Sequence, residues 1–421
     1  MKPLTGPVKR PFTTTRVDDQ GRIMLPPELG LGLEPGALVR VREDGNGVRI
    51  GRSTASLAKL YVELTTECNI GCTTCMRNAW EEPGGRMGAE TWKLVLAGAK
   101  GMRPAPALFI GGYGEPLCHP DALEMMADAK RAGLSAEMIT NATLLDESAA
   151  TRLIELGLNR LWVSLDSGGE SEYAGVRRGG SLSRVVENVS RLVAAREHAL
   201  SETPLIGICF VAMRDTIHSL PEVLRLGRRL GADRFLVSNL LPHTQSMLGQ
   251  ALYQRSHYEP DLPASERTPL LDLPRMEIND VTQLPLAEAL KDSFTVSIAG
   301  QTLSLGSCTC PFVDQGSMAV RWDGSAHPCP PLMHPHTSYL ADRERKVGAF
   351  AVGSLASQGL GEIWNDPSYV ELRERLLAFD FAPCTTCNGC EEAGANAGDC
   401  FGNGAPACGG CLWGQGFIRC P

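Results

Sequence analysis

Leu60-Tyr61-Val62-Glu63-Leu64-Thr65-Thr66-Glu67-Cys68-Asn69-Ile70-Gly71-Cys72-Thr73-Thr74-Cys75 joins an extended apolar run to a loop with three thiols in eight residues. The run Leu60 to Thr65 predicts a strand, so the thiols fall at a strand end. Three thiolates on one short loop can hold three corners of a cubane [4Fe–4S] cluster, leaving the fourth iron without a protein ligand. An open coordination position lets a metal centre act on a bound molecule. A zinc site draws four ligands in two pairs, and no fourth ligand lies near the triplet in sequence.

Outward from this loop the chain alternates strands and helices. Strand-like runs are Leu60 to Thr65, Ala107 to Ile110, Ala136 to Thr140, Arg160 to Leu165, Leu205 to Val211 and Arg234 to Ser238. Helical spacing of apolar residues appears around 88–100, 120–132, 146–156, 182–199 and 217–230; Val185, Val189, Leu192 and Val193 are one such set. Strands alternating with helices predict right-handed βαβ units and a parallel sheet. Six units predict an α/β fold, a partial (β/α)6 TIM-like barrel over 56–240, with its chemistry at the carboxyl ends of the strands.

The flanks differ. Residues 1–55 read as a small β module of short strands (Thr13 to Val17, Ile23 to Leu25, Val39 to Val41, Val48 to Ile50), with a turn at Asp19-Gln20-Gly21. Residues 241–305 are proline-rich and polar and read as a crossover or lid. Residues 306–421 are rich in Cys and Gly with one short helix at 367–378, as expected of a fold organised by metal clusters.

Composition bounds the function. At 421 residues the chain has room for two or three domains, and its net charge of −8 gives no general argument for nucleic acid or anionic membranes. The stretch Met1 to Phe12 lacks the apolar run of a signal peptide, and no apolar stretch approaches the roughly 20 residues of a membrane span. A cytoplasmic protein is expected. In that compartment thiols stay reduced, so 15 cysteines grouped in clusters point to metal or redox chemistry.

The C-x3-C-x2-C loop after a first strand resembles the radical S-adenosylmethionine (SAM) superfamily. Phe109-Ile110-Gly111-Gly112-Tyr113-Gly114-Glu115-Pro116 is similar to its glycine–glycine–glutamate motif, which implies that Gly112, Gly114 and Glu115 receive the methionine amino group of SAM. Glycines admit close backbone approach, and a carboxylate pairs with an ammonium. Thr140-Asn141 resembles a Thr-Asn-Gly element, with Ala142 in place of the glycine. The fourth strand ends Val163-Ser164-Leu165-Asp166, and the resemblance implies ribose contacts from Ser164 and Asp166. Arg177, with Arg178 adjacent, matches an arginine that pairs with the SAM carboxylate in relatives. Thr74 stands where relatives carry an aromatic residue near adenine, which shifts adenine contacts toward Val237 to Leu240.

Cys310 and Cys329 bracket a hairpin with its turn at Asp323-Gly324, and Cys384, Cys387, Cys390, Cys400, Cys408, Cys411 and Cys420 follow. This arrangement resembles the SPASM extension, which implies two auxiliary [4Fe–4S] clusters. The Cys390 to Cys400 gap is longer than usual and Cys408-Gly409-Gly410-Cys411 adds a pair, so the ligands are not partitioned by spacing. With Cys308 there are ten candidates for eight positions, and zinc competes for the C-x2-C pairs. Asp380, Asp399 and His327 are conceivable acid–base groups with structural roles as the simpler reading.

The amino-terminal V-D-D-Q-G-R-I-M-L-P-P-E-L resembles AbrB-like swapped hairpins, which implies a homodimer; acidic and basic residues nearly balance there, against DNA binding. Y-V-E-L-T-T-E-C-N-I-G-C, W-E-E-P-G-G-R-M, V-S-N-L-L-P-H-T and C-G-G-C-L-W-G-Q-G-F-I-R-C-P are similar to a subgroup of maturases found with tungsten-dependent aldehyde oxidoreductases. The resemblance implies reductive cleavage of SAM to a 5′-deoxyadenosyl radical that modifies a partner oxidoreductase, its cofactor site or one of its residues. A low-potential donor such as ferredoxin or flavodoxin would supply the electron. Two alternatives stand beside it: a peptide-modifying SPASM enzyme forming thioether or carbon–carbon links, and a non-catalytic cysteine-rich redox-sensing DNA regulator.

Overall fold

The computed structural model describes residues 19–20, 39–44, 47–52, 56–80, 82–253, 270–273, 295–298, 301–303, 310–340, 343–382, 384–385 and 390–421. Two compact units result, Met1–Ser53 and Thr54–Pro421. In the first, Val39–Asp44 and Gly47–Arg52 form an antiparallel hairpin. The earlier strands expected of a swapped-hairpin module lie outside the described residues.

Six parallel strands lie side by side in chain order: β1 (Lys59–Val62), β2 (Ala107–Ile110), β3 (Ala136–Thr140), β4 (Arg160–Ser164), β5 (Leu205–Ala212) and β6 (Ala232–Asn239). Alternate residues explain both faces. Leu60 and Val62 of β1, Leu108 and Ile110 of β2, and Leu161 and Val163 of β4 are fully buried in the core beneath the helices. Their neighbours Tyr61, Phe109 and Trp162 fill a second apolar cluster, as the two-residue period of a strand requires. Tyr61 and Phe109 stand in register, ring centroids 5.2 Å apart. Gly207 on β5 makes room for Trp162, whose ring a Cβ there would strike.

Helices α1 (Ala89–Gly101), α2 (Ala122–Arg131), α3 (Glu147–Glu155), α4 (Glu170–Val176), α5 (Leu182–His198) and α6 (Leu220–Arg229) connect the strands. On α5, Leu182, Val185, Val189 and Leu192 face the core, each burial contributing about 1.5–3 kcal/mol before its entropy cost. Ser181 caps that helix by accepting from Arg184 N, and Asp146 caps α3 by accepting from Ala149 N at 2.8 Å. Helix α4 was not expected from the sequence. It is short, polar and glycine-preceded, and only Tyr173 and Val176 are buried.

The sheet does not stop at β1. Strand β7 (Ser317–Val320) pairs parallel to β1, and β8 (Ser325–His327) returns antiparallel through the expected Asp323-Gly324 turn, where Gly324 has φ +86°. The hairpin expected between Cys310 and Cys329 thus extends the barrel sheet, and all four residues of β7 are buried. Beyond it lie β9 (His336–Leu340), antiparallel to β10 (Arg343–Val347), then β11 (Gly353–Ser354), which pairs with β8 at the end of the barrel sheet. Helices α7 (Pro311–Asp314), α8 (Leu360–Trp364) and α9 (Pro367–Ala378) pack nearby, the last within the expected bounds. The stretch read as a crossover or lid contains a small sheet of Leu270–Leu273, Thr295–Ile298 and Gln301–Leu303, segments too short to stand out in a proline-rich sequence.

The last residues turn back into the barrel. Leu412, Trp413 and Ile418 join its inner apolar cluster, and Lys59 Nζ and Tyr61 Oη donate to the Pro421 carbonyl at 2.5 and 2.7 Å. Desolvation there lowers the Lys59 ammonium to about 8.

Candidate active site

The cysteine loop leaves β1 and is held by its backbone. Cys72 pairs with Arg177 in a short antiparallel bridge, Thr73 N donates to Val176 O at 2.8 Å, and Cys75 N donates to Cys72 O at 3.2 Å. Cys68, Cys72 and Cys75 are free, half-buried thiols. Each sulfur meets a different donor: Asn141 Nδ2 at 3.7 Å from Cys68, Arg177 Nη1 at 4.0 Å from Cys72, and Arg77 Nε at 3.2 Å from Cys75. Burial pushes the Cys68 and Cys72 thiols up, and Arg77 and Arg177 respectively pull them back. Donors of this kind suit thiolates ligating a cluster, whose excess negative charge they offset. Among the described residues no three His, Cys, Asp or Glu side chains converge as a single metal ion would need.

Arg77 was missed by sequence reading. Besides Cys75 it donates to Thr66 O at 3.1 Å and to Ile70 O, so it ties both ends of the loop. A guanidinium two residues after the last cysteine was the available signal. Asn69 was also missed; it joins Asn141 Nδ2 at 3.0 Å to Thr143 Oγ1 at 2.7 Å.

The glycine-rich loop after β2 presses on the strand exit. Gly111 N donates to Val62 O at 3.0 Å and Glu115 N to Glu67 O at 2.7 Å. A Cβ on Gly112 would lie 2.6 Å from Glu63 Oε1, and one on Gly114 would fall onto the Thr65 carbonyl oxygen. Backbone cannot yield there as a side-chain tip could. Gly114→Ala is therefore expected to displace this loop, and the SAM affinity that the resemblance implies for it should fall at least about tenfold. Equilibrium dialysis of the reconstituted protein checks it; unchanged affinity would refute the close-approach argument.

Glu115 is buried and accepts from Thr140 Oγ1 at 2.7 Å, Asn141 N at 2.7 Å and Leu117 N at 3.2 Å. Burial raises its carboxyl above the ordinary range, and these bonds oppose the rise. Three bonds leave about one of its four acceptor positions for an incoming donor. The structure thus brings Glu115, Thr140, Asn141 and Cys68 together.

Asp166 and Arg177 are also close, but they meet each other. Arg177 Nε donates to Asp166 Oδ2 at 2.9 Å and Nη2 lies 2.8 Å from it, while Val211 N donates to Asp166 Oδ1 at 2.9 Å. Arg178 is exposed, so the buried guanidinium is that of Arg177. Ser164 ends β4, half-buried. The stretch expected near adenine is engaged by the chain's last residues: Asn239 Nδ2 donates to Phe417 O at 2.9 Å and Arg419 N to Ser238 Oγ at 3.0 Å.

Cys310, Cys329, Cys408 and Cys411 line one cavity, together with Phe312, Leu332 and Arg345. The apolar lining and four thiols from three segments fit a buried cluster with four protein ligands. Cys384 lies outside that cavity; burial pushes its thiol up, and the nearby Cys400 adds to the rise. Cys384 is buried, Cys390 and Cys400 are exposed, and Cys387 lies outside the described residues, as does Cys308. Arg345 stands between the groups, donating to Ala393 O at 2.7 Å and Ala407 O at 2.8 Å. Cys420 does not line the cavity but packs in the same apolar cluster as Cys310, Cys329 and Cys411, its Sγ accepting from Trp413 Nε1 at 3.3 Å.

Two of the three conceivable acid–base groups have structural partners. His327 bonds Ser325 Oγ at 2.9 Å and Phe350 O at 2.8 Å, and Asp399 accepts from Ala382, Phe401 and Asn403 backbone nitrogens.

Residues 62–237 match the radical SAM superfamily, and residues 308–391 match SPASM, described as an iron–sulfur cluster-binding domain. The chain is 29% identical over 368 residues to the tungsten-containing aldehyde ferredoxin oxidoreductase cofactor-modifying protein of Pyrococcus furiosus, covering 86% of this chain and 96% of that protein. It is 32% identical over 187 residues to the PqqA peptide cyclase of Gluconobacter oxydans, 44% of this chain and 49% of the relative. Among solved structures, Streptococcus suis SuiB bound to S-adenosylmethionine gives a TM-score of 0.49 at 15% identity, covering 79% of this chain and 71% of that one. With a parallel α/β barrel, a cysteine loop at the exit of its first strand and these two matches, the chain is a radical SAM enzyme carrying a SPASM iron–sulfur cluster-binding domain.

Proposed function

We propose that Cys68, Cys72 and Cys75 hold the [4Fe–4S] cluster that binds SAM, and that the chain modifies the cofactor site or a residue of a partner tungsten oxidoreductase. The observation that carries the first half is the convergence of Glu115, Thr140, Asn141, Asp166 and Arg177 on the cysteine loop. For the second half the support is similarity along nearly the whole length of the Pyrococcus protein. When bound, the cluster and SAM supply a 5′-deoxyadenosyl radical able to abstract hydrogen.

This chain's residues do the rest. Gly112 and Gly114 let the loop approach SAM, and the free acceptor position of Glu115 takes the methionine ammonium. Arg177 faces the carboxylate with its charge already oriented by Asp166, and Ser164 and Asp166 lie where ribose hydroxyls would reach them. Tyr61, Phe109 and Trp162, with the chain's last residues, fill the barrel beneath and exclude water from the reacting end. We assign Cys310, Cys329, Cys408 and Cys411 to one auxiliary cluster, and Cys384, Cys387, Cys390 and Cys400 to a second. Cys420, grouped at first with these ligands, is left free by that partition. A low-potential ferredoxin or flavodoxin in the cytoplasm would supply electrons, and the amino-terminal module would pair two copies.

Among the described residues no helix is long and apolar enough to cross a membrane. Membership of an enzyme superfamily sets aside the non-catalytic regulator. The peptide-modifying alternative keeps one support, the similarity over 187 residues to a peptide cyclase.

The test is anaerobic reconstitution followed by SAM and dithionite. Release of 5′-deoxyadenosine is expected, rising when apo-oxidoreductase with its tungsten cofactor is added. No release from cluster-loaded protein would refute the catalytic reading. A rise with short precursor peptides alone would replace the maturase with the peptide-modifying enzyme.

A further inference from the structure

A buried charge network joins the carboxyl-terminal region to the glycine-rich loop, and the reaction as outlined leaves it unused. Glu63, the residue after β1, and His334, 271 positions later, are both fully buried. His334 Nε2 is 2.8 Å from Glu63 Oε2, and Nδ1 is hydrogen-bonded to Glu82 Oε1. The other oxygen of Glu63 accepts the Tyr113 backbone N–H at 3.1 Å, inside the Gly112-Tyr113-Gly114-Glu115 loop. The other oxygen of Glu82 pairs with Arg321 at 3.3 Å. Trp80 stacks on the imidazole at 4.1 Å and Tyr113 meets it edge-on at 5.6 Å. The chain sources are informative: Trp80 and Glu82 follow the cysteine loop, Tyr113 belongs to the SAM loop, and Arg321 and His334 come from the region after Cys310.

Glu63, Glu82, Arg321 and His334 as an imidazolium sum to zero charge, and a buried polar set of this kind avoids an unpaired ion. The more exposed Asp323 also lies 3.6 Å from Arg321 at the solvent edge. Burial works against the imidazolium, but the hydrogen bonds and charge of Glu63, then of Glu82, outweigh it and raise its proton affinity. A neutral imidazole has a single N–H and could not donate to both carboxylates.

We propose that His334 is a positioning residue for SAM: as a cation it fixes Glu63, Glu63 fixes the Tyr113 amide, and the loop carrying Glu115 is thereby set from the SPASM side of the molecule. The inference rests on the assignment of that loop to SAM.

The experiment compares reconstituted wild type with His334→Gln, which roughly keeps size but cannot carry charge. SAM affinity is read from the change it causes in the reduced cluster's electron paramagnetic resonance signal. KM and kcat for 5′-deoxyadenosine release are measured beside it. His334→Gln is expected to weaken SAM at least about tenfold and raise KM while kcat at saturating SAM holds, with iron content unchanged. The double variant Glu63→Gln/His334→Gln removes the stranded carboxylate and should recover part of the loss. If His334→Gln does not fold, Glu82→Gln, at the less buried end, should shift affinity in the same direction. Wild-type affinity in His334→Gln, or in a folded Glu82→Gln where the former cannot be made, would overturn the proposal. A wild type that binds no SAM would overturn the assignment of the loop itself, and this inference with it.

Discussion

Replacing Cys68, Cys72 and Cys75 together with alanine is expected to abolish 5′-deoxyadenosine release while leaving a folded protein with about eight irons. The chemistry should vanish because the three thiolates are the whole protein ligand set of the proposed catalytic cluster. The fold should survive because the loop does not depend on its sulfurs for shape. Its conformation is held by the Cys72–Arg177 backbone bridge, by Thr73 N on Val176 O, and by Arg77 on the Thr66 and Ile70 carbonyls. None of these bonds uses a thiol. The remaining irons should stay because the cavity of Cys310, Cys329, Cys408 and Cys411 is lined by other segments. Iron analysis with Mössbauer or electron paramagnetic resonance spectroscopy gives the count. Loss of all iron would contradict separate auxiliary clusters, and retained turnover would contradict the cysteine loop as the catalytic site.

That independence of sites was only partly legible in the sequence. Strands Ala107–Ile110 and Ala136–Thr140 match their expected bounds, because short apolar runs between loops leave little latitude. Helix α4 was missed since two buried side chains among glutamates make no detectable period. The insertion of β7 beside β1 could not be read at all: parallel pairing across more than 250 residues leaves no local trace. The same holds for the four-cysteine cavity. Spacing identified Cys408 and Cys411 as a pair, but only the fold brings them to Cys310 and Cys329. Glu63 and His334 were invisible for this reason too. Each is an ordinary residue until the chain places one against the other.

Arg177 is the case where sequence and structure give different partners, and it yields a prediction of similar size. Asp166→Ala is expected to destabilise the protein by about 3–5 kcal/mol. The Arg177 and Asp166 side chains are 10% and 1% exposed, so alanine would leave a buried guanidinium without its counter-charge. It would also orphan the Val211 amide, which donates to the other Asp166 oxygen. Asp166→Asn should cost less, since it keeps the volume and one acceptor. Asp166→Ala/Arg177→Met removes both charges and should regain most of the lost stability, as paired removal from an interior commonly does. Denaturant midpoints at matched iron content measure all three. The double variant also separates a structural role for the pair from a role in holding SAM. If the two charges serve only to balance each other, restored stability should bring back SAM binding as well. Because Arg177 Nη1 already reaches toward the Cys72 sulfur, we expect stability to return and SAM binding to stay at least about tenfold weaker. Recovery of both would make the pair structural and return the SAM carboxylate to another residue.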